Sequence, residues 1–333
     1  MLNKDKFEKR INKDYDKVYC KLGGVNGLGK YILKRTATIA VSLFVIITIT
    51  FIMMHAIPGG PFTRENTLPE TVLESLNEKY RLNDPLWKQY FDYVLGILRL
   101  DFGPSLQRSG VSVNQLIEEG FPATFTLGLS SVIYILMIGV PLGVFSALKH
   151  NKWQDRMIVF FTSLGVAVPS FVIATAIIFV FSAKLNILPS NGLSSWKHLI
   201  GPVIALSGFS LSFIIKMTRT CMLEVMEADY IRTARSKGIS IQKVIFKHAL
   251  KNATIPVITY VGPMVATLLT GSFVIERIFA IPGIGKHFVE SVGNRDYTVL
   301  LGITLLYAFI LAFMVLVVDV LYMVIDPRIK MKD

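Results

Sequence analysis

Formal charge is scarce in this chain, and cysteine scarcer still. Asp, Glu, Lys and Arg make up 17% of its 333 residues, against roughly a quarter in an ordinary soluble domain. The deficit is local. Several windows longer than 18 residues carry no formal charge at all, and a buried soluble helix is usually shorter than such a run. Two cysteines, Cys20 and Cys221, imply no disulfide framework. No Cys/His cluster has metal-ligand spacing, and no HExxH zinc motif or midplane pair of acids supports a membrane hydrolase. The chain also lacks a GxxxxGK[ST] phosphate loop; Gly283-Ile284-Gly285-Lys286 is missing the leading spacing. An ion-driven secondary transporter is expected to show internal repeats and a deep ionisable pair, and neither stands out. A structural or receptor-like membrane protein is a further alternative.

What is abundant is apolar sequence, 52% of the chain. It falls into six runs, at 36–56, 122–148, 157–183, 199–215 continuing past Lys216, 252–275, and 297–318 continuing past Asp319 to Ile325. A bilayer core of ~30 Å needs about 20 helical residues, so each run predicts a membrane-spanning helix. The first run begins too far in, and is too long, for a cleaved signal peptide.

Six crossings put both termini on one side. That side carries residues 1–35, 149–156, 216–251 and 326–333, with 24 Lys/Arg and 10 Asp/Glu. The other carries 57–121, 184–198 and 276–296, with 11 Lys/Arg and 12 Asp/Glu. The basic side is expected to face the cytoplasm. The net charge of +12 then reports topology and contact with anionic lipid, and no nucleic-acid partner is called for. The predicted organisation is a cytoplasmic tail over 1–33, a transmembrane region over 34–325, and a short cytoplasmic tail over 326–333. The first tail reads as flexible chain or as a short amphipathic surface helix.

The outer segment 57–121 carries three helix starts. Thr67 with Glu70 fits a capping box, Asp84-Pro85 opens a helix through Leu98, and Ser112 precedes Gln115. These predict a small helical cap, with Trp87, Tyr90, Phe91 and Tyr93 at the interface or packed on the spans.

The basic loop 216–251 has apolar residues at helical spacing, Ile231, Ala234, Ile241, Val244 and Ile245, and Gly238 in its middle. Gly238-Ile239-Ser240 predicts helix, tight turn, helix, with Ser240 as the cap. Such a hairpin offers a docking element to a soluble protein; a solvated basic loop on anionic lipid is the alternative. Prolines in or beside the runs, Pro122, Pro141, Pro169, Pro202 and Pro263, invite bends. Serines such as Ser130, Ser163 and Ser207 suit a tolerant pathway or close helix packing. Asp319 lies within reach of the inner interface, and Glu276 with Arg277 closes the fifth run on the outer side.

The chain resembles the membrane subunits of ATP-binding-cassette importers, in the branch that imports peptides and nickel. The likeness rests on Arg232-Thr233-Ala234-Arg235-Ser236-Lys237-Gly238 followed by His248-Ala249-Leu250 and Asn252-Ala253. It continues in Ile57-Pro58-Gly59-Gly60-Pro61-Phe62, Asn83-Asp84-Pro85, Asp101-Phe102-Gly103, Val168-Pro169-Ser170-Phe171 and Leu188-Pro189. Val274-Ile275-Glu276, Ile281-Pro282-Gly283-Ile284-Gly285, Asn294-Arg295-Asp296-Tyr297 and Ile325-Asp326-Pro327 complete it. Lys251 stands where the wider family has proline, so the general loop motif is half kept.

The resemblance implies the six-helix, all-α fold of type I importer permeases. It implies a second similar permease subunit and two ATP-binding subunits. It also implies an extracytoplasmic peptide-binding lipoprotein or periplasmic protein, with oligopeptide as substrate. Dipeptide, nickel or glutathione is the alternative substrate; the oligopeptide subgroup is the nearest likeness, on residues 57–62 and the outer segment. This chain would bind no cofactor, ATP and magnesium belonging to the partners. The loop residues Arg232, Thr233, Ala234, Arg235, Lys237, Gly238, Ile239, Lys243, His248 and Leu250 would couple to the ATPase. Pro169, Ser170, Glu276 and Asp319 are the candidates for gate or pathway.

Overall fold

The computed structural model describes residues 24–56, Phe62 and 70–325. Residues 1–23 with Cys20, the stretch 57–61, the Thr67 cap and residues 326–333 with Asp326-Pro327 lie outside the described residues, whereas residues 24–33 of the predicted first tail are helical. Two compact units result, Met1–Ile49 and Thr50–Asp333. In the first, helix α1 (Gly24–Ala56) exposes Leu33, Val41, Phe44 and Ile49. The Thr38 hydroxyl donates to its own helix at the Lys34 carbonyl, so this polar group is satisfied without a partner from outside the helix.

The described residues of the second unit form helices joined by turns, and the extended pairing among them is an isolated bridge between Pro104 and Ser112. The predicted outer cap is present as α2 (Glu70–Lys79) and α3 (Leu86–Leu98). Pro85, rather than Asp84, occupies the cap position of α3 and makes no side-chain bond. Asp84 instead pairs with Lys88 at 3.0 Å. Tyr90 of α3 packs on Phe51 at 5.3 Å between ring centres, while Trp87, Phe91, Leu95 and Leu98 stay exposed. The Ser112 cap forms as expected: its hydroxyl accepts from the Gln115 N–H at 3.1 Å and opens α4 (Val113–Leu148). At 1.5 Å per residue α4 is about 54 Å long, so it overshoots a bilayer core.

The third crossing departs from expectation. It is a broken pair, α5 (Trp153–Ala167) and α6 (Ser170–Lys184), bent by 106°. Pro169 disfavours helix at the residue before it, and Val168 is accordingly extended at φ −88°, ψ 123°. The pair still travels the length of α7 (Trp196–Glu227). Asp155 meets Arg219, Gly165 abuts Gly208 and Ser212, and Ile177 reaches Gly201. Contacts that march steadily down a neighbouring span fit one crossing with a hinge, and with the five long apolar helices this allows up to six crossings among the described residues.

Helix α8 (Asp229–Ser236) and α9 (Ile241–Leu269) follow. The fifth span therefore ends before Ile275, six residues short of the predicted limit. Gly271, at φ +75°, breaks the chain, and Ile275 belongs to a separate short helix, α10 (Phe273–Ile278). Then come α11 (Ile284–Asn294) and α12 (Tyr297–Ile325), which carries Asp319 inside the helix. Helices α4 and α7 run in the same direction, since Gly139 and Gly143 of α4 meet Ile214 and Thr218 of α7 in order. Helix α9 runs against α4: Ala147 shares a buried cluster with Ala249 and Ala253, while Gly128 abuts Leu268.

Candidate functional site

The basic hairpin forms at one end of the bundle. Helix α8 is amphipathic, and Ile231 and Ala234, three residues apart, are buried on its inner face. They pack with Ala147 of α4, Met222 of α7, and Val244, Ile245, Ala249 and Ala253 of α9. Three elements thus grip the base of a short helix that has too few residues to hold itself together. The turn explains Gly238. The Gly238 N–H donates to Arg235 O at 2.9 Å and the Ile239 N–H to Ala234 O at 3.4 Å. This pair of bonds is a Schellman ending, which needs a left-handed residue; Gly238 supplies φ +75°. Ile239 folds back onto the same buried cluster as Ala234. Ser240 precedes α9 but makes no side-chain cap bond. The first turns of α9 widen into a π-helical stretch, Val244–Ala249.

What the hairpin presents outward is cationic with apolar patches. Arg232, Thr233, Arg235, Lys237, Gly238 and Lys243 are exposed; Ile239, His248 and Leu250 are half-buried. Tyr230, Ile241 and Phe246 are exposed apolar groups on the same loop. Arg232 pairs with Asp229 at 3.9 Å, a contact between two solvent-facing side chains worth little in energy. The surface is therefore a rigidly based, unspent basic face rather than a self-neutralised one.

The other predicted site residues lie elsewhere, and the fold does not gather them into one place. Pro169 and Ser170 mark the bend between α5 and α6. Asp319 is half-buried, next to Val318, which lies against Gly262 of α9. Glu276 is fully buried, so it does not border water beside Arg277. The Thr124 hydroxyl donates to its Oε1 at 3.1 Å and the Gly285 N–H to its Oε2 at 2.9 Å. Thr124 in turn accepts from the Ile284 N–H at 3.0 Å. The carboxyl thus sits at the start of α11, where backbone N–H groups face outward. A Cβ at Gly283 would collide with both the carboxyl and the Thr124 hydroxyl. That is why Ile281-Pro282-Gly283-Ile284-Gly285 is glycine-rich. Burial pushes the Glu276 carboxyl up to about 7, against the pull of the two donated bonds.

Residue chemistry to which the sequence assigns no role lies at both ends, at Asp155 and at Asp296, the latter noted only within a resembling stretch. At the hairpin end, Asp155 is 2% exposed and is held by Arg219 through Nε at 2.7 Å and Nη2 at 2.8 Å. At the opposite end Asp296 is buried and accepts from the Ser105 hydroxyl and from the Leu106 N–H. It locks the loop before α4 to the start of α12. Partners 64 and about 190 residues apart leave no local signal; each acid alone looks like a span boundary. Also at that end, a cavity of about 790 Å³ is lined by His55, Tyr80, Tyr93, Arg99, Asp101 and Thr298 among others.

Comparison with known proteins gives a consistent picture. The sequence model described as binding-protein-dependent transport system inner membrane component matches residues 139–331. Its N-terminal companion matches residues 28–128. The chain is 44% identical over 304 residues to the dipeptide transport system permease protein DppB of Bacillus subtilis (strain 168), covering 91% of this chain and 99% of that protein. It is 43% identical over 303 residues to the oligopeptide transport system permease protein OppB of Salmonella typhimurium, covering 90% and 99%. Among solved structures, a chain of the inward-facing MetNI methionine ABC transporter aligns with a TM-score of 0.54 at 18% identity, over 63% of this chain and 96% of that one. At that identity the likeness is one of fold.

Proposed function

Because the chain belongs to the family of binding-protein-dependent transport system inner membrane components, we propose that it is the membrane-spanning half of an ATP-driven oligopeptide importer. Its all-helical fold is that of type I importer permeases. A second, similar subunit completes the pathway, two ATP-binding subunits dock beneath the permease pair, one of them on this hairpin, and an extracytoplasmic binding protein delivers peptide at the opposite end. The chain hydrolyses nothing; ATP and magnesium are handled by the partners. Both termini and the hairpin face the cytoplasm, which the surplus of Lys/Arg on that side supports.

The observation that carries this reading is the hairpin. Its apolar base is anchored in three spans while its cationic face is unspent. A loop that only neutralised lipid would need no such base. Within the docked complex α8 acts as a lever, and closure of the ATPase pair pushes on α7 and α9 through Ile231 and Ala234. Arg235, Lys237 and Lys243 are placed to meet acidic groups on the docked subunit.

Oligopeptide is preferred as substrate on residues 57–62 and the outer segment. The Bacillus relative favours the alternative, a dipeptide. The test is peptide uptake into sealed vesicles carrying the permease pair, the ATPase subunits and the binding protein. Peptides of graded length separate the two substrates. Uptake that proceeds without the ATPase subunits sinks the importer reading. A cysteine near Gly238, such as Ser236→Cys, paired with one on the ATPase is expected to crosslink in a nucleotide-sensitive way, and a crosslink absent in every nucleotide state removes the lever assignment.

A further inference from the structure

Asp155 accepts four hydrogen bonds from three separate parts of the bundle. Arg219 of α7 supplies two, at 2.7 and 2.8 Å. Ser146, near the end of α4, donates at 2.5 Å, and the Asn151 N–H in the connecting turn donates at 3.0 Å. Asn151 holds φ +62° to make that turn. His150 adds a contact to Arg219 at 3.0 Å. The carboxylate is buried and fully engaged, and α5 begins two residues before it.

Its neighbours place this cluster directly above the hairpin. Ala147, next to Ser146, and Met222, one helical turn beyond Arg219, both belong to the buried cluster that grips Ile231 and Ala234. In the other direction, α5 runs along α7 from Arg219 to Gly208, and the chain then bends at Pro169. Beyond the bend α6 reaches Gly201 and Phe279 at the far end. A buried ion pair adds little net stability over apolar packing of the same volume. It does fix geometry, because two parallel bonds between a guanidinium and a carboxylate define both distance and angle.

We propose that the Asp155–Arg219 pair is the positioning element that makes α5 follow α7 when the hairpin is pushed. The proposal rests on the importer reading above. The pair carries displacement from α8, by way of α7, into the α5–α6 arm, and the hinge at Val168-Pro169 converts it into a change at mid-span. Without the pair α7 and α8 move while α5 slips, so ATP is consumed with little peptide moved.

The test uses the reconstituted complex of permease pair, ATPase subunits and binding protein, with variants Asp155→Asn and Arg219→Lys. Among variants that assemble at wild-type level, peptide imported per ATP is expected to fall about tenfold, within the range of coupling between networked residues. ATP hydrolysis itself should stay within about twofold of wild type by the same reasoning. A thiol probe at Ser170→Cys should lose its nucleotide-dependent change in accessibility, while one at Ser236→Cys, exposed on α8, keeps its own. If the pair variants fail to assemble, Ser146→Ala removes one bond and leaves the ion pair; a partial loss of peptide per ATP is then expected. Unchanged peptide per ATP, or a retained response at residue 170, overturns the proposal. If the wild-type complex imports no peptide on ATP, it is the importer reading that fails.

Discussion

Gly238 sits at φ +75° with open space where a Cβ would go, so only its backbone conformation calls for glycine. Gly283 is the reverse case: its φ of −98° suits any residue, but Glu276 and Thr124 occupy the space. Gly238→Asn, which tolerates the left-handed region, is therefore expected to leave the thermal midpoint of purified protein nearly unchanged. Gly283→Ala should cost about 1–3 kcal/mol, the usual penalty of overpacking, and lower the midpoint clearly. Equal midpoints for the two variants would contradict this account of the cradle. The sequence singled out both glycines, one from its place in the basic loop and one from a resembling motif. It could not assign their reasons, because the second depends on a carboxyl and a hydroxyl brought in from Glu276 and Thr124. Asp155 and Arg219 were missed for the same cause.

Whole elements are more legible in the sequence. The apolar runs at 36–56, 122–148 and 297–318 each lie inside a long helix, because some 20 uncharged residues have few other uses. The Ser112 start was legible because a cap is local chemistry. Ser112→Ala, which deletes the bond to the Gln115 N–H, should lower stability by about 1 kcal/mol, whereas Ser112→Asp should retain it. Thermal unfolding in detergent with both variants checks this. The break in the third crossing was half visible: Pro169 stood out, but the bend of 106° was not foreseen. Proline only forbids helix at its predecessor. The angle is set by α7, which holds α5 and α6 at Gly165, Gly208 and Gly201. The end of the fifth span was overestimated, since hydropathy continues smoothly past the break at Gly271.

For the molecule as a whole, the buried carboxyl predicts a pH dependence with a definite sign. Glu276 titrates near 7 in the fold and in the ordinary carboxylate range, about 4.3, when unfolded. Between those values the native state binds more protons than the unfolded state, so this group's contribution to stability falls as pH rises from about 4.5 through about 7. Its full span is on the order of 3 kcal/mol. Unfolding followed from pH 4.5 to 8 should show that decline in wild type and a flatter curve in Glu276→Gln. A wild-type curve no steeper than the variant's would remove Glu276 as its source.

The sequence by itself determined that the chain crosses a membrane, where the hairpin turns and which surface stays basic. Each of these follows from hydropathy, charge or turn chemistry within a few consecutive residues. Tertiary structure alone decided the angle of the broken crossing, the burial of Glu276, and the clamp joining Asp155 to Arg219. Those depend on which distant residues share a few ångströms of low-dielectric space, and neither spacing nor composition records that proximity.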